Sequence, residues 1–496
     1  ALGLRKGSHV GILMPNCMDF VEILFGASLL GAVVVPINAR FKARELGHVI
    51  ADGDIDVLVT SDIIEQHTDY VALLHETLPG LADAPDPRSL ALPGAPRLRT
   101  VVLLGNRGAA GMLDRAAFTA LAEHITDDEV DLRRSRVAMR DVALMMYTSG
   151  TTAMPKGCPL SHEALLRTAI VAGRTRFRLT AQDRFWDPLP MFHMSAILQM
   201  MAVMDAGAAF LSMTHFDPDV ALEMIDAEGT TVSFATFPAI TQALLNHPDY
   251  HPDRWKGIRI INNVAPPDTL RDMQARMPHT VQISAYGCTE CAGVVSFNDP
   301  DETLEQRTTT CGVPFDGIEL EIRDLETGKP AAPGERGEIV VRGFNLFEGY
   351  YKDPELTASR FDEDGWFHTG DIGTVDADGR VSYLGRLKDM LKVGGENVAA
   401  VEIESHLATH PAVSIAAVVG VPHPKYMEVP FAFVELRPGH EATEEELIEH
   451  CRAGLARFKV PHHIRFVTEW PMSATKIQKF RLAERAVEEL RAASAS

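Results

Sequence analysis

Residues 147–157 read Tyr147-Thr148-Ser149-Gly150-Thr151-Thr152-Ala153-Met154-Pro155-Lys156-Gly157, placing four aliphatic hydroxyls, two glycines and one lysine within eleven positions. The apolar stretch before them, 142–146, has the character of a buried strand. A glycine- and hydroxyl-rich loop leaving a strand suits a polyphosphate. Glycines let backbone N–H groups come close, hydroxyls donate further hydrogen bonds, and lysine offsets the charge. The spacing is not that of the nucleotide P-loop, because no Gly-Lys-Ser/Thr ends the run. Taken alone, the run also fits a polar surface loop. Cys288 and Cys291 have CxxC spacing, but no second pair completes a zinc site.

Further segments follow in a fixed order: Pro190-Met191-Phe192-His193, Tyr286-Gly287-Cys288-Thr289-Glu290, Trp366-Phe367-His368-Thr369-Gly370-Asp371 and Gly385-Arg386-Leu387-Lys388-Asp389, with Lys476 near the C-terminus. With the 148–157 run they resemble the acyl-adenylate-forming superfamily, which includes acyl-CoA synthetases, peptide-synthetase adenylation domains and luciferases. The resemblance covers nearly the whole chain. It implies that a carboxylate reacts with ATP to give acyl-AMP and pyrophosphate, and that a thiol then takes the acyl group. That chemistry needs charge neutralisation and in-line geometry more than covalent work by the protein.

The resemblance also implies roles for individual residues. Thr148, Ser149, Gly150, Thr151, Thr152 and Lys156 would hold the β- and γ-phosphates. Glu290 would bind Mg²⁺, a hard cation that prefers carboxylate and phosphate oxygens; Thr289 would meet the α-phosphate. Tyr286, Gly287 and the turn Val264-Ala265-Pro266 would form the adenine site; Asp371 would accept from both ribose hydroxyls, and Arg386 would contact ribose or phosphate. Lys476 would bridge the substrate carboxylate and the α-phosphate in adenylation, with Lys479 as a nearby decoy. In isolation, either lysine fits a solvated surface charge. Lys388 stands at the family's hinge position; Lys392, Gly394 and Gly395 would face the pantetheine arm of CoA. His193 would lie at the mouth of the acyl pocket, and Ser195, Phe234, Ala235, Cys291, Ala292 and Gly293 would wall it. Most of these walls are small, which suits a bulky or long apolar acid.

The chain departs from the family pattern at three places. Ala153 replaces a usual glycine, Asn263 and Val264 replace the glycines of a GGAP turn, and Thr475 stands where a glycine usually precedes the lysine. For Ala153 the expected consequence is tuning of the loop, not loss of binding; Asn263 and Val264 bear on the shape of the purine wall, and Thr475 on the reach of Lys476. CoA is the expected acceptor, since no carrier domain follows Ser496; an amine acceptor, giving an amide, is the alternative. A homodimer is compatible with either.

Alternating strand-like and helical runs must position these residues. Strands are expected at 10–14, 33–36 and 57–60 and a helix at 19–31, the pattern of a helix-covered parallel sheet. Strands at 259–262 and 281–284 bracket a helix at 269–277. Residues 81–97, rich in Pro, Ala and Asp, read as a surface excursion. From Cys311 short β runs, 319–323 and 338–342, suggest a small antiparallel subdomain. Beyond Gly385 the pattern becomes α+β, with helices at 401–409 and 444–455 and strands at 415–420 and 431–436. The expected fold is therefore α/β: a large N-terminal domain of largely parallel sheets with a β subdomain (1–387), then a small, mobile α+β domain (388–496).

With 496 residues the chain exceeds usual single-domain size. Its net charge of -21 disfavours nucleic acid and anionic membrane as partners. The longest apolar run, 25–35, is shorter than the roughly 20 residues of a membrane span. The six cysteines read as reduced thiols of a cytoplasmic protein. Because the sequence opens at Ala1, within a segment that the family places further along, a preceding piece is expected.

Overall fold

The computed structural model describes residues 1–148, 154–393, 396–423, 426–472 and 477–495. The chain divides into two compact units. One comprises Ala1–Ala265, Thr269–Glu319 and Val341–Phe367; the other comprises Pro266–Asp268, Leu320–Val340 and His368–Ser496.

The first unit opens with a seven-stranded sheet in the order β5-β4-β3-β1-β2-β6-β7. Its strands are β1 (His9–Leu13), β2 (Val33–Pro36), β3 (Ile55–Thr60), β4 (Thr100–Leu103), β5 (Leu113–Asp114), β6 (Val142–Thr148) and β7 (Lys156–Ser161). All neighbours are parallel except β6 and β7. Runs such as Val33-Val34-Val35 are buried throughout, as expected of β-branched strands covered on both faces. Helix Met18–Leu29 buries Phe20, Leu24 and Ala27, one stripe at helical spacing.

Residues 81–97 are more than a surface excursion. Leu81, Leu90, Leu92 and Ala95 are buried in the core of this sheet. The Pro- and Asp-rich composition hid a sparse apolar set that docks without regular structure.

A second, all-parallel sheet runs β12-β11-β10-β8-β9: β8 (Arg184–Trp186), β9 (Ala209–Leu211), β10 (Val232–Thr236), β11 (Ile260–Asn263) and β12 (Val281–Ile283). Three short antiparallel strands follow: β13 (Ala285–Tyr286), β14 (Ser296–Phe297) and β15 (Val313–Pro314). Next comes a four-stranded sheet of β16 (Ile318–Arg323), β17 (Gly337–Gly343), β18 (Phe367–Val375) and β19 (Val381–Arg386).

In the second unit, β20 (Met390–Val393), β21 (Glu396–Ala399), β22 (Val413–His423) and β23 (Met427–Leu436) order as β21-β20-β23-β22, and β24 (His463–Phe466) pairs with β23. β22 and β23 form a hairpin longer than the expected 415–420 and 431–436. Period-two alternation serves two cores: Ala432 and Val434 lie in one, Phe431 and Phe433 in the other. Among the described residues, no helix is long and apolar enough to cross a membrane.

Candidate active site

The hydroxyl- and glycine-rich run joins β6 to β7, so it tips a hairpin whose last pairs are Tyr147 with Gly157 and Thr148 with Lys156. Ser149, Gly150, Thr151 and Thr152, with Ala153, lie outside the described residues. Both stems are braced from helix Ala43–Asp52. The Tyr147 hydroxyl donates to Asp52 Oδ2 at 2.7 Å, and His48 Nε2 donates to the Pro155 carbonyl at 2.9 Å. Burial, then the Asp52 carboxylate, pushes the Tyr147 hydroxyl well above its ordinary value, so it stays a donor. At Gly157 an added Cβ would meet Tyr351 Cβ at 3.0 Å and Met145 Sδ at 3.1 Å, and the Gly157 carbonyl accepts from Tyr351 N at 2.9 Å.

Lys156 is half-buried, with its Nζ 3.5 Å from Asp353 Oδ2 and 6.0 Å from the Tyr350 ring centroid. The neighbouring Tyr350 hydroxyl donates to Glu290 Oε1 at 2.9 Å. Burial, then Glu290, raises this hydroxyl too. The segment 350–353 thus joins Lys156 to Glu290.

Glu290 sits in a short 3-10 turn, Thr289–Cys291, directly after β13. Tyr286 is buried on β13. Gly287 faces so close a neighbour that a Cβ there would lie 2.3 Å from Gly293 O and 2.5 Å from Val294 Cα. Ala292 and Gly293 adopt the left-handed region, φ 52° and 91°, to bring the chain back. Cys291 and Ala292 are fully buried.

His193 is half-exposed at the N-terminus of helix Met194–Ala206, its ring 4.9 Å from that of Phe192. Ser195 is half-exposed on that helix. The turn before it is held by a residue far away in sequence. Asn16 donates to the Leu189 carbonyl at 2.8 Å, and its Oδ1 accepts from Met191 N at 2.7 Å. Asp187 is buried beneath the same turn, and burial pushes its carboxyl well above the ordinary range. On β10, Phe234 packs in an aromatic cluster, 6.0 Å from Phe177 and 6.4 Å from Phe185, while Ala235 lies in the core with Trp186. Val264 is partly exposed at the end of β11, where its N–H donates to the Thr236 carbonyl at 2.8 Å; Ala265 follows it.

The second unit carries the other expected residues, including Pro266. Asp371 on β18 and Arg386 on β19 are register partners, and Arg386 Nε lies 3.0 Å from Asp371 Oδ1. Asp371 is buried. The preceding Gly370 N–H donates to Glu338 Oε1 at 3.0 Å, and His368 Nδ1 lies 2.8 Å from Glu338 Oε2. Lys388 occupies the 3-10 turn Leu387–Asp389. Lys392 is on β20, its N–H donating to Glu428 at 2.8 Å. Gly394, Gly395 and Lys476 lie outside the described residues. The decoy Lys479 is ion-paired with Glu404 at 2.7 Å.

The sequence reading missed Asn16, His48, Asp52, Asp187, Tyr350 and Asp353. Only 350–353 had a signal, two tyrosines beside Lys352 and Asp353 in a glycine-containing stretch.

Two family models match: AMP-binding enzyme over residues 1–351, and AMP-binding enzyme C-terminal domain over 402–476. The putative acyl-CoA synthetase YngI of Bacillus subtilis is 33% identical over 98% of this chain and 89% of its own length. Among solved structures, the anthranilate CoA ligase AuaEII with anthranoyl-AMP superposes with a TM-score of 0.81 at 27% identity, covering 99% of this chain and 89% of that one. The amide bond synthetase McbA of Marinactinospora thermotolerans gives a TM-score of 0.79 at 26% identity, covering 97% and 90%.

Proposed function

The chain belongs to the AMP-binding enzyme family, and from that premise we propose that it activates a carboxylic acid with ATP as an acyl-AMP and transfers the acyl group to CoA. The observation that carries this reading is the match of both family models, over 1–351 and 402–476; Lys156, Glu290, Asp371 and Lys476 stand in the sequence motifs beside it.

In this mechanism the hairpin tip and Lys156 hold the β- and γ-phosphates. Lys156 is positioned by Asp353, and Tyr147 and Pro155 on the flanking stems by Asp52 and His48. Tyr286 and the 264–266 turn flank adenine, with Gly287 keeping the tyrosine strand against 293–294. Thr289 meets the α-phosphate. Asp371 accepts from ribose once Arg386 shares or releases it. Lys476 supplies the charge that joins carboxylate to α-phosphate; Lys479 is ion-paired with Glu404. Lys388 is the hinge between half-reactions, after which Lys392, Gly394 and Gly395 serve CoA. His193 and Ser195 stand at the acyl entrance; Phe234, Ala235, Cys291, Ala292 and Gly293 limit its depth, and the small members favour a bulky apolar acid.

Glu290 is the residue to hold Mg²⁺. It has no cationic partner among the described residues and accepts from a neutral phenol, so its charge is available. No cluster of three His, Cys, Asp or Glu side chains suited to a metal occurs among the described residues. Mg²⁺ would be held by this one carboxylate together with substrate phosphates. The metal would supply charge neutralisation along the polyphosphate.

A second reading, transfer of the acyl group to an amine, is favoured by the likeness to McbA and by the departures at Ala153 and Thr475. The reading of a cytoplasmic enzyme, monomeric or homodimeric, accompanies both. Acid-dependent ATP–pyrophosphate exchange across a panel of carboxylic acids tests adenylation. Exchange with none of them, by folded protein, overturns it.

A further inference from the structure

We propose that Cys288 and Cys291 form a reversible disulfide site that turns acyl activation off. Their Sγ atoms lie 3.4 Å apart. Cys291 N donates to the Cys288 carbonyl at 3.1 Å, and Gly293 N donates to the same carbonyl at 2.9 Å. A turn closed from i to i+3 keeps its end Cα atoms within about 7 Å, which matches the span a disulfide bridges. The residues between the two thiols are Thr289 and Glu290. Cys288 is half-exposed and Cys291 buried, so the outer sulfur meets an oxidant and the inner one resolves it.

The oxidant is a low-molecular-weight disulfide such as glutathione disulfide. The Cys288 sulfur attacks it, forms a mixed disulfide and displaces one thiol. The Cys291 sulfur then attacks the Cys288 sulfur and displaces the second thiol. One S–S bond breaks and one forms; both cysteine protons leave with the two released thiols, and the oxidant takes the two electrons.

Bonded sulfurs sit about 2.05 Å apart, so the pair must close by more than ~1 Å. Cys291 is buried and its carbonyl accepts from Asn345 Nδ2 at 3.2 Å, while the Glu290 carbonyl accepts from Phe347 N at 2.9 Å. The movement therefore falls on Cys288 and Thr289 and strains the seat of Glu290. A misplacement of about 1 Å in such a site costs on the order of 10²-fold in rate. A cytoplasmic disulfide of this kind is transient and sensory, not structural. The loss of activity rests on the adenylation reading above; the disulfide itself does not.

The test equilibrates the full chain against graded ratios of glutathione disulfide to glutathione, traps remaining thiols, and weighs the tryptic peptide 277–307. Pyrophosphate exchange is measured in parallel. The expected result is loss of two hydrogens from that peptide, a fall in exchange of about tenfold or more, and recovery of both by dithiothreitol. Cys288→Ser keeps the reduced-state rate and no longer responds, whereas Cys17→Ser responds as the parent does. Two free thiols in 277–307 at the most oxidising ratio overturn the proposal. So does a disulfide that leaves exchange unchanged, or Cys288→Ser losing activity in step with the parent. If the reduced protein shows no pyrophosphate exchange with any acid of the panel, the adenylation reading fails, and the mass of 277–307 still decides whether the disulfide forms.

Discussion

Gly287→Ala tests whether the close approach behind Tyr286 sets the geometry of the nucleotide site. The backbone there is outside the left-handed region, so the substitution is a steric perturbation and nothing more. The new Cβ would stand 2.3 Å from Gly293 O and 2.5 Å from Val294 Cα, against an ordinary contact of 3.4–4 Å. Both obstacles are backbone, so no side chain can swing aside. The two backbone segments must separate by about 1 Å, which overpacking elsewhere suggests costs ~1–3 kcal/mol. That shift is carried into Tyr286 on one side and Thr289–Glu290 on the other, where about 1 Å corresponds to ~10²-fold in rate. Pyrophosphate exchange should therefore fall by one to two orders of magnitude, and thermal melting should move down modestly. Gly26→Ala is the matched control: it lies inside helix Met18–Leu29 with nothing within 4 Å of its Cβ. It should keep exchange and stabilise by up to ~1 kcal/mol. If Gly287→Ala exchanges at the parent rate and melts at the parent temperature, the account of Gly287 as the spacer of the site is refuted.

Lys476→Ala should slow acyl-AMP formation by on the order of 10²-fold while sparing thioester formation from supplied acyl-AMP; Lys479→Ala, which removes only the partner of Glu404, should leave single-turnover adenylation nearly intact. Glu290→Gln keeps the acceptor for Tyr350 but removes the charge, so the Mg²⁺ titration should shift to higher concentration; an unaltered titration removes Glu290 from the metal site. Asp187 has its folded-state carboxyl raised by burial, so the folded protein holds a proton that the unfolded chain releases; this contribution is complete below the ordinary carboxylate range and is lost as pH rises from there through the raised folded-state value. Asp187→Asn should flatten that dependence and melt higher than the parent at neutral pH, with the gap closing on acidification; parallel melting profiles at all pH values would contradict it.

Much of the site's chemistry was legible because it is local in sequence. The strand before the 147–157 run is apolar enough to read, whereas β7, Lys156-Gly157-Cys158-Pro159-Leu160-Ser161, carries no strand pattern and owes its place to pairing with β6. Asp371 and Arg386 were legible singly, but not their register pairing, which depends on how β18 meets β19. The braces were illegible for a plainer reason. Asn16 reaches Met191 across 175 residues, and His48 reaches Pro155 across 107. Nothing near Asn16 or His48 marks a partner, since a single polar side chain on a helix or loop is ordinary. Residues 81–97 misled in the opposite direction: a composition dominated by Pro, Ala and Asp concealed the few leucines that the core takes. Phe234 shows the same ambiguity at the site, because its place on β10 puts it among Phe177, Phe185 and Phe297.

The most direct measurement follows the fate of ATP and of the acyl group together. The protein is incubated with an exchange-positive acid, CoA and ATP labelled at the α-phosphate, and quenched products are resolved. The account requires labelled AMP and acyl-CoA thioester in equal amounts, with acyl-AMP as the species that accumulates when CoA is withheld. Labelled ADP as the nucleotide product would contradict adenylation, and acyl-AMP that persists with CoA but is consumed by an amine would replace the thiol acceptor with an amine.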